Sequence, residues 1–171
     1  MIYMRDQGAD TDPERLKRLA ISIKTQVASA DEIIKNMNQF AHTVDTFQGP
    51  AVPDELMSLT AALAKRIANM QGVNLEVHSP GTRGSVTTSS FFLINLIWVG
   101  INAAIQHVGE KGNVVLSCEN TDQGACLRMD MSGTNQENMV LPEPSVALAQ
   151  ALDARITQDT EKKQLIISLP A

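Results

Sequence analysis

The chain has 171 residues, of which 43% are apolar and 19% are charged, and this composition is that of an ordinary folded domain rather than of a disordered segment. Its net charge of −5 and the lack of any basic stripe argue against a nucleic-acid-binding protein. The first residues become polar too early for a secretory signal, so we expect a cytoplasmic protein. Cys118 and Cys126 flank a predicted turn. Reduced thiols and a hairpin disulfide are both geometrically possible there, and a cytoplasmic location favours reduced thiols.

The N-terminal part of the sequence predicts one long helix. Residues 1–10 are polar and are expected to form a mobile leader, and the helix is predicted over residues 11–48, with Thr11 or Asp12 as its cap and Pro13 in its first turn. Its apolar residues recur at alternating spacings of four and three, which is the period of a coiled coil. They are Leu16, Ala20, Ile23, Val27, Ala30, Ile34, Met37, Ala41 and Val44. Four more apolar residues widen the stripe on one side to the width typical of a helical bundle rather than of a two-stranded coiled coil, and these are Leu19, Ile33, Phe40 and Phe47. One helix cannot bury such a stripe, so it must pair with the next helix, with the following domain or with a second copy of the chain.

Glycine and prolines at residues 48–53 break this helix and predict a domain boundary, with a second domain over residues 54–171. The elements predicted in it are a helix at 54–71, a strand at 73–78, a helix at 91–108, strands at 113–118 and 125–132, a helix at 145–153, and strands at 155–158 and 164–169. Strands joined by short hairpins and interspersed with helices favour an α+β sandwich, in which helices cover one face of a mixed, antiparallel-rich sheet. The long N-terminal helix is expected to project from it.

The longest apolar run of the sequence lies between Phe91 and Val108. A serine before it and Gly109 after it are the start and stop signals of a helix. A membrane span is the rival interpretation, because about twenty predominantly apolar residues suffice to cross a bilayer. Asn95 and Asn102 interrupt the run and no basic flank adjoins it, so we interpret it as a buried core helix.

The order of these elements resembles the second half of a sensor histidine kinase, in which a helical dimerisation hairpin leads into an ATP-binding domain of the GHKL type. The resemblance covers about residues 15–171. Residues 32–41 resemble the second hairpin helix, and residues 63–77 resemble the segment that leads into the first strand. Residues 102–116 resemble the N-box and the strand after it, and residues 146–170 resemble the final helix and the closing strands.

The departures from the family's pattern lie at its nucleotide site. Asn102 stands where the family's N-box asparagine coordinates magnesium and phosphate. Counting back from Gly133 in the family's Asp-x-Gly-x-Gly motif, Met131 occupies the position of the aspartate that reads adenine. Asp130 is one residue away, and because strand side chains alternate it is expected on the opposite face of the sheet. The second glycine of the motif is replaced by Asn135.

The glycine-rich phosphate loop of the family is also absent, since residues 142–149 contain no glycine. The resemblance therefore implies a degenerate ATPase domain that binds neither ATP nor magnesium, similar to histidine phosphotransfer proteins with a kinase-like fold. Asn102, Met131 and Gly133 are then vestiges of a cofactor site. The alternative is a divergent ATP-binding histidine kinase that still uses Asn102. No metal site is predicted, because the histidines are scattered along the sequence.

The family's phosphoacceptor is a histidine, and this chain has three. His42 lies on the long helix just outside the apolar stripe and is expected to be exposed, so that its imidazole can accept a phosphoryl group from an aspartyl phosphate. The alternative is an ordinary solvated histidine, because the family's acidic neighbour is absent. His78 is predicted at the surface, and His107 is predicted to complement the C-terminal dipole of the core helix.

The resemblance, with its departures at the nucleotide site, implies a two-component signal-transduction protein without kinase activity. It is expected to be a phosphotransfer adaptor or pseudokinase that docks the receiver domain of a response regulator, works as a homodimer, and inserts in no membrane. His42 is the candidate phosphate carrier. A divergent kinase and a purely structural dimerisation module remain the alternatives.

Overall fold

The computed structural model describes residues 12–78, 84–121, 124–133 and 139–170. The helices in these ranges are α1 (Pro13–His42), α2 (Pro53–Met70), α3 (Ser90–Val108) and α4 (Pro144–Ala151). The strands are β1 (Gly49–Ala51), β2 (Asn74–His78), β3 (Val86–Thr88), β4 (Asn113–Thr121), β5 (Gly124–Ser132), β6 (Arg155–Asp159) and β7 (Gln164–Pro170). The predicted leader at residues 1–10 lies outside the described residues, as does Asn135.

The chain divides into two compact units, one up to Lys35 and one from Asn36 onward, so that the division falls inside α1. The sequence placed a boundary at residues 48–53 instead. The helix is capped by Asp12, whose carboxylate accepts a hydrogen bond of 3.0 Å from the backbone N–H of Glu14. None of the thirty residues of α1 is buried. Its apolar stripe is therefore left uncovered.

The second unit is built on a five-stranded sheet with the strand order β2-β4-β5-β7-β6. The pair β2–β4 is parallel, and the pairs β4–β5, β5–β7 and β6–β7 are antiparallel. Helices α2, α3 and α4 cover one face of this sheet and enclose the hydrophobic core with it. The predicted α+β architecture is thus confirmed, including its mixed, mainly antiparallel sheet.

Helix α3 is the central element of the core. Ten of its nineteen residues are buried, and among these Ile97 and Ile101 are fully inaccessible. The hydroxyl of Ser89 accepts a hydrogen bond from the backbone N–H of Phe92 at its start, and Gly109 follows its last turn with a φ of 69°. By length and composition α3 alone among the described helices could cross a membrane, but 56% of it is buried inside this domain. It is the core helix that the sequence predicted.

Strand β5 alternates as predicted. Leu127, Met129 and Met131 are buried on the face that packs against the helices. Arg128 and Asp130 lie on the other face, which carries mainly polar side chains and is partly exposed. The alternation fixes the register of the strand, because a shift by one residue would expose all three buried side chains.

Two local features differ from the predictions. Helix α1 ends at His42 rather than at residue 48, because the hydroxyl of Thr43 bonds the carbonyl oxygen of Phe40 at 2.7 Å and the chain then turns. After that turn β1 pairs with β3 in a separate antiparallel ribbon, with Gly49 opposite Thr88. Neither three-residue strand was predicted, since elements this short show no hydrophobic period.

Candidate phosphoacceptor and candidate nucleotide site

His42 is the last residue of α1, and its side chain is 78% exposed. The turn after the helix brings Asp45 back beside it, so that the histidine Nδ1 lies 2.8 Å from the Asp45 Oδ2. The backbone N–H of Asp45 also donates to the carbonyl oxygen of His42 at 3.3 Å. The imidazole is therefore exposed, and a carboxylate orients one of its two ring nitrogens.

This pairing has a chemical consequence. Asp45 is an acceptor, so the neutral histidine places its proton on Nδ1, and Nε2 keeps its lone pair. An exposed, unprotonated Nε2 is the group that a phosphoryl acceptor requires. Asp45 was not predicted from the sequence, because the family's acidic residue is expected directly next to the histidine. The available signal was an aspartate three residues on, beyond the end of the helix.

The other two histidines have different surroundings. His78 ends β2 and is 66% exposed, and its Nε2 lies 3.3 Å from the Glu76 Oε2. His107 is half-buried in the last turn of α3. His78 therefore resembles His42 in exposure and in having an acidic neighbour, but it lies on a strand instead of at the end of α1.

A cavity of about 450 Å³ lies beside Asn102 and is called the Asn102 cavity below. Its described lining consists of Trp98, Val99, Asn102, Ala103, Gln106, Val140 and Pro142. The amide nitrogen of Asn102 donates to the carbonyl oxygen of Trp98 in the preceding turn, at 3.2 Å. That donor is thus already used within the helix. No lysine or arginine is present among these described lining residues to neutralise a triphosphate.

Met131 and Gly133 lie at the end of β5, and neither belongs to the described lining of the Asn102 cavity. Met131 is 8% exposed and packs in the core. A Cβ on Gly133 would lie 2.3 Å from the carbonyl oxygen of Val108. Glycine is therefore needed at this position because the strand end packs directly on the backbone at the end of α3.

Asp130 does not supply the carboxylate that the family has at the position of Met131. Its carboxylate accepts a hydrogen bond from the side-chain amide of Gln164, the residue opposite it on β7. Both side chains lie on the face of the sheet away from the helices. The predicted outward orientation of Asp130 is thus confirmed.

The two cysteines are free thiols on opposite faces of the β4–β5 hairpin. Cys118 is opposite Leu127 and is fully buried, whereas Cys126 is opposite Glu119 on the outer face. A hairpin disulfide would require the two side chains to share a face. Burial, reinforced by the charge of Asp54, raises the pKa of the Cys118 thiol to about 12, so this thiol is unreactive at neutral pH.

Within the described ranges, no group of three or more His, Cys, Asp or Glu side chains is arranged to hold a metal ion. Neither His42 nor the Asn102 cavity therefore has a ready set of protein ligands in that part of the chain.

Comparison with known proteins gives the class of fold. No protein-family model matches the sequence, and no curated protein matches it. Solved structures of histidine kinases do match. The catalytic domain of the histidine kinase ThkA, in a nucleotide-free form, superposes with a TM-score of 0.61 at 12% identity, over 73% of this chain and 96% of that chain.

Two further structures extend this likeness. The ATP-binding domain of PrrB from Mycobacterium tuberculosis has a TM-score of 0.55 at 19% identity, over 74% of this chain and 98% of that chain. ThkA in complex with the response regulator protein TrrA has a TM-score of 0.60 at 16% identity, over 93% of this chain and 52% of that chain. This chain therefore has the fold of a histidine-kinase catalytic domain preceded by a long helix, as the sequence resemblance implied.

Proposed function

We propose that this chain is a cytoplasmic two-component signalling protein that docks the receiver domain of a response regulator and carries a phosphoryl group on His42. In this proposal it is a homodimer, and it does not bind ATP. The observation that carries the proposal is the exposed imidazole of His42 with Nδ1 held by Asp45, on a chain with a histidine-kinase fold.

The proposed step is the transfer of a phosphoryl group from an aspartyl phosphate of the receiver domain. The Nε2 lone pair of His42 attacks phosphorus, an N–P bond forms, and the P–O bond to the aspartate breaks to release a carboxylate. The Nδ1 proton remains between His42 and Asp45, and the carboxylate of Asp45 offsets the positive charge that develops on the ring. The reverse transfer uses the same atoms.

The loss of ATP binding is supported by the position of Met131. A purine that entered there would meet a buried thioether instead of a carboxylate, and its amino group would lack an acceptor. An unpaired buried polar group costs about 1–3 kcal/mol. The domain is then a pseudokinase, in which the ATPase fold supplies a surface and a scaffold rather than a reaction.

The choice of a receiver domain as partner is supported by the neighbouring structure of ThkA, which was solved with the response regulator TrrA. That complex concerns ThkA. It supports the proposal because this chain shares the fold and presents a histidine on its long helix.

The test of phosphotransfer uses receiver domains loaded with phosphate by labelled acetyl phosphate. Label is expected to move to the wild-type chain as an acid-labile, base-stable phosphate, and the His42→Ala variant is expected to accept none. Asp45→Ala is expected to lower the rate about tenfold, because Nδ1 loses the group that fixes its proton.

The matched control is His78→Ala, which removes another exposed histidine with an acidic neighbour. Its transfer rate is expected to stay within about twofold of the wild type. Transfer that survives His42→Ala, or that is lost with His78→Ala, would rule out His42 as the carrier.

The first alternative is a divergent ATP-binding kinase, and the Asn102 cavity is the observation that favours it. Calorimetric titration with ATP and magnesium separates the two functions, since the proposal predicts no heat of binding at micromolar protein. Micromolar affinity that is abolished by Asn102→Ala would establish the alternative.

The second alternative is a structural dimerisation module, which the uncovered stripe of α1 favours. It predicts a dimer that neither binds ATP nor accepts phosphate from any receiver domain. The phosphotransfer assay therefore decides between this module and the proposed carrier.

A further inference from the structure

We infer that two copies of this chain pair through the free edge of β6, called the β6 edge below, which comprises residues 155–159. The pairing continues the five-stranded sheet across a two-fold axis and brings Arg155 of each copy beside Asp159 of the other. Strand β6 ends the sheet, and among the described strands it has a neighbour only on the β7 side. The inference goes beyond the proposed function, because it depends on neither His42 nor helix α1.

The hydrogen bonds of the sheet show which backbone groups of β6 face its neighbour. The N–H of Met131 donates to the carbonyl oxygen of Lys163 at 2.9 Å, in register with the β5–β7 ladder. Residues of a strand alternate in the neighbour that they bond, so the odd-numbered residues of β7 bond β5 and the even-numbered ones bond β6. The residues of β6 opposite those even-numbered ones are Arg155, Thr157 and Asp159.

Ile156 and Gln158 therefore direct their N–H and carbonyl groups away from the sheet. Such an edge can bond a further strand whose own outward groups lie opposite. A second β6 meets this condition in the antiparallel direction with Thr157 opposite Thr157, because Ile156 then faces Gln158 of the other copy. The two copies exchange four backbone hydrogen bonds in this register.

The side chains on the outer face of the sheet select this register. Arg155, Thr157 and Asp159 share that face, and the first two are exposed. With Thr157 on the axis, Arg155 faces Asp159 of the other copy twice, and opposite charges across a strand pair stabilise it. A register shift of one residue on each side of the axis separates the two charges, since Arg155 then faces Thr157 or a residue beyond the end of β6.

Both members of this charge pair can make the contact. Within the described part of the chain, no ion pair involves Arg155. The Asp159 Oδ1 accepts from the backbone N–H of Lys162 at 3.0 Å and closes the turn after β6. The Asp159 Oδ2 lies 3.8 Å from the Lys162 Nζ, which is beyond hydrogen-bond length, so its lone pairs can accept from a guanidinium group.

The opposite edge of the sheet lacks this complementarity. Strand β2 is the other outer strand, and Glu76 lies at its centre. An equivalent pairing of two β2 edges would bring Glu76 opposite Glu76, and like charges directly opposite destabilise a strand pair. A charge at such a position protects an edge from pairing. The centre of β6 is instead the neutral Thr157.

A groove beside the β6 edge adds apolar surface to the pairing. It has a volume of about 350 Å³ and is lined by residues of α4 and β6, among them Val146, Ala149, Ala154 and Ile156. Val146 is 59% exposed. The pairing places Gln158 of the other copy opposite Ile156 on this face of the sheet, where its side chain covers part of the groove.

Disulfide trapping tests the arrangement in full-length protein that carries Cys126→Ser, with the buried Cys118 left in place. Thr157→Cys brings two thiols together across the axis, where the Cβ atoms of facing residues are about 4.5–5.5 Å apart. Mild oxidation is therefore expected to link two chains through residue 157. Failure of Thr157→Cys to link would overturn the inference.

The matched control is Gln158→Cys, which introduces a thiol at the next exposed position of the same strand. In the proposed register its Cα atoms in the two copies are about 8 Å apart, which is too far for a disulfide, so this variant is expected to stay unlinked. Equal linking of Gln158→Cys and Thr157→Cys would indicate random collision and would also overturn the inference.

A charge exchange in the Thr157→Cys protein gives a second readout. Arg155→Glu and Asp159→Lys, made separately, each bring like charges opposite each other twice, and each is expected to reduce linking about tenfold. A mixture of the two variants, one of them tagged, regains both attractive pairs. It is expected to form the mixed linked dimer to within about twofold of the parent protein.

This recovery separates a lost contact from a folding defect, because mixing cannot repair a misfolded chain. A mixture that links no better than either variant alone would contradict the pairing of Arg155 with Asp159. The phosphotransfer assay at His42 gives its answer independently of these results.

Discussion

Helices α1 and α3 both carry regular apolar patterns, yet only α3 is covered by its own chain. In α3 ten of nineteen residues are buried, whereas α1 has none buried in thirty. The difference arises because α3 is apolar nearly all round and packs on the sheet between α2 and α4, while α1 has one apolar stripe and polar residues elsewhere. An apolar pattern shows that burial is required, and its width around the helix indicates whether the same domain provides it.

The largest expected effect is on the free energy of unfolding, and it is tested by replacing one isoleucine in each helix. Ile101→Ala in α3 removes a fully buried side chain and is expected to lower the free energy of unfolding by about 2–5 kcal/mol at every protein concentration. Ile23→Ala in α1 is expected to change it by less than about 0.5 kcal/mol where the chain is monomeric. Urea unfolding over a range of protein concentrations measures both. Equal losses in dilute protein would mean that α1 is covered within one chain.

The next effect concerns the contact between the end of β5 and the end of α3. Gly133→Ala places a methyl group against the Val108 carbonyl oxygen and is expected to cost about 1–3 kcal/mol, because two backbones must separate. Ser132→Ala at the exposed neighbouring position is the control and is expected to change stability by less than about 0.5 kcal/mol. If Gly133→Ala proves neutral, the glycine is not needed for packing, and a role at a ligand site becomes the better explanation for it.

A smaller effect comes from the buried thiol of the core. The pKa of Cys118 is raised from 9.0 to about 12, chiefly by burial. Above pH 9 the unfolded chain releases this proton while the folded chain keeps it, so stability is unaffected below pH 9 and falls as the pH rises towards 12. The expected loss is about 1 kcal/mol at pH 10.

The measurement is urea unfolding of the wild type and of Cys118→Ala at pH 8 and at pH 10. The difference in stability between the two proteins is expected to shrink at pH 10, because the variant lacks the group that titrates. Cys126→Ser is expected to behave as the wild type does. A constant difference between wild type and Cys118→Ala would show that Cys118 ionises normally.

The smallest effect is expected at Asn102. Its amide bonds a carbonyl oxygen of its own helix, and alanine is the better helix former, so Asn102→Ala is expected to change stability by no more than about 0.5 kcal/mol. Thermal unfolding measures the change. A loss above 2 kcal/mol would show that Asn102 supports the core, in contrast to its interpretation as a vestige of the N-box.

Much of the fold followed from local sequence signals. The run from Phe91 to Val108 had caps at both ends, and the alternation through Met129 and Met131 fixed the faces of β5. The ribbon of β1 and β3 could not be predicted, since its strands depend on a partner distant in sequence.

The candidate site was less accessible to sequence reasoning. The exposure of His42 followed from its place beside the stripe, but its contact with Asp45 depends on where the helix ends. The glycine at position 133 matched a nucleotide motif, whereas the structure gives it a packing role against Val108. In both cases the missing information was a contact between backbone segments, which side-chain patterns do not encode.

The attachment of the last turn of α1 has a kinetic consequence. Phe40 stacks at a tilt on Phe91 with ring centroids 6.3 Å apart, and the edge of one ring of the Phe47–Phe92 pair meets the face of the other at 5.8 Å. His42 lies between Phe40 and Phe47 in the sequence, so ring contacts on both sides of it attach this segment to the start of α3. If His42 is the carrier, no hinge has to move before each transfer. The observed rate should then grow in proportion to receiver concentration until the complex saturates, without the lag of a preceding domain rearrangement.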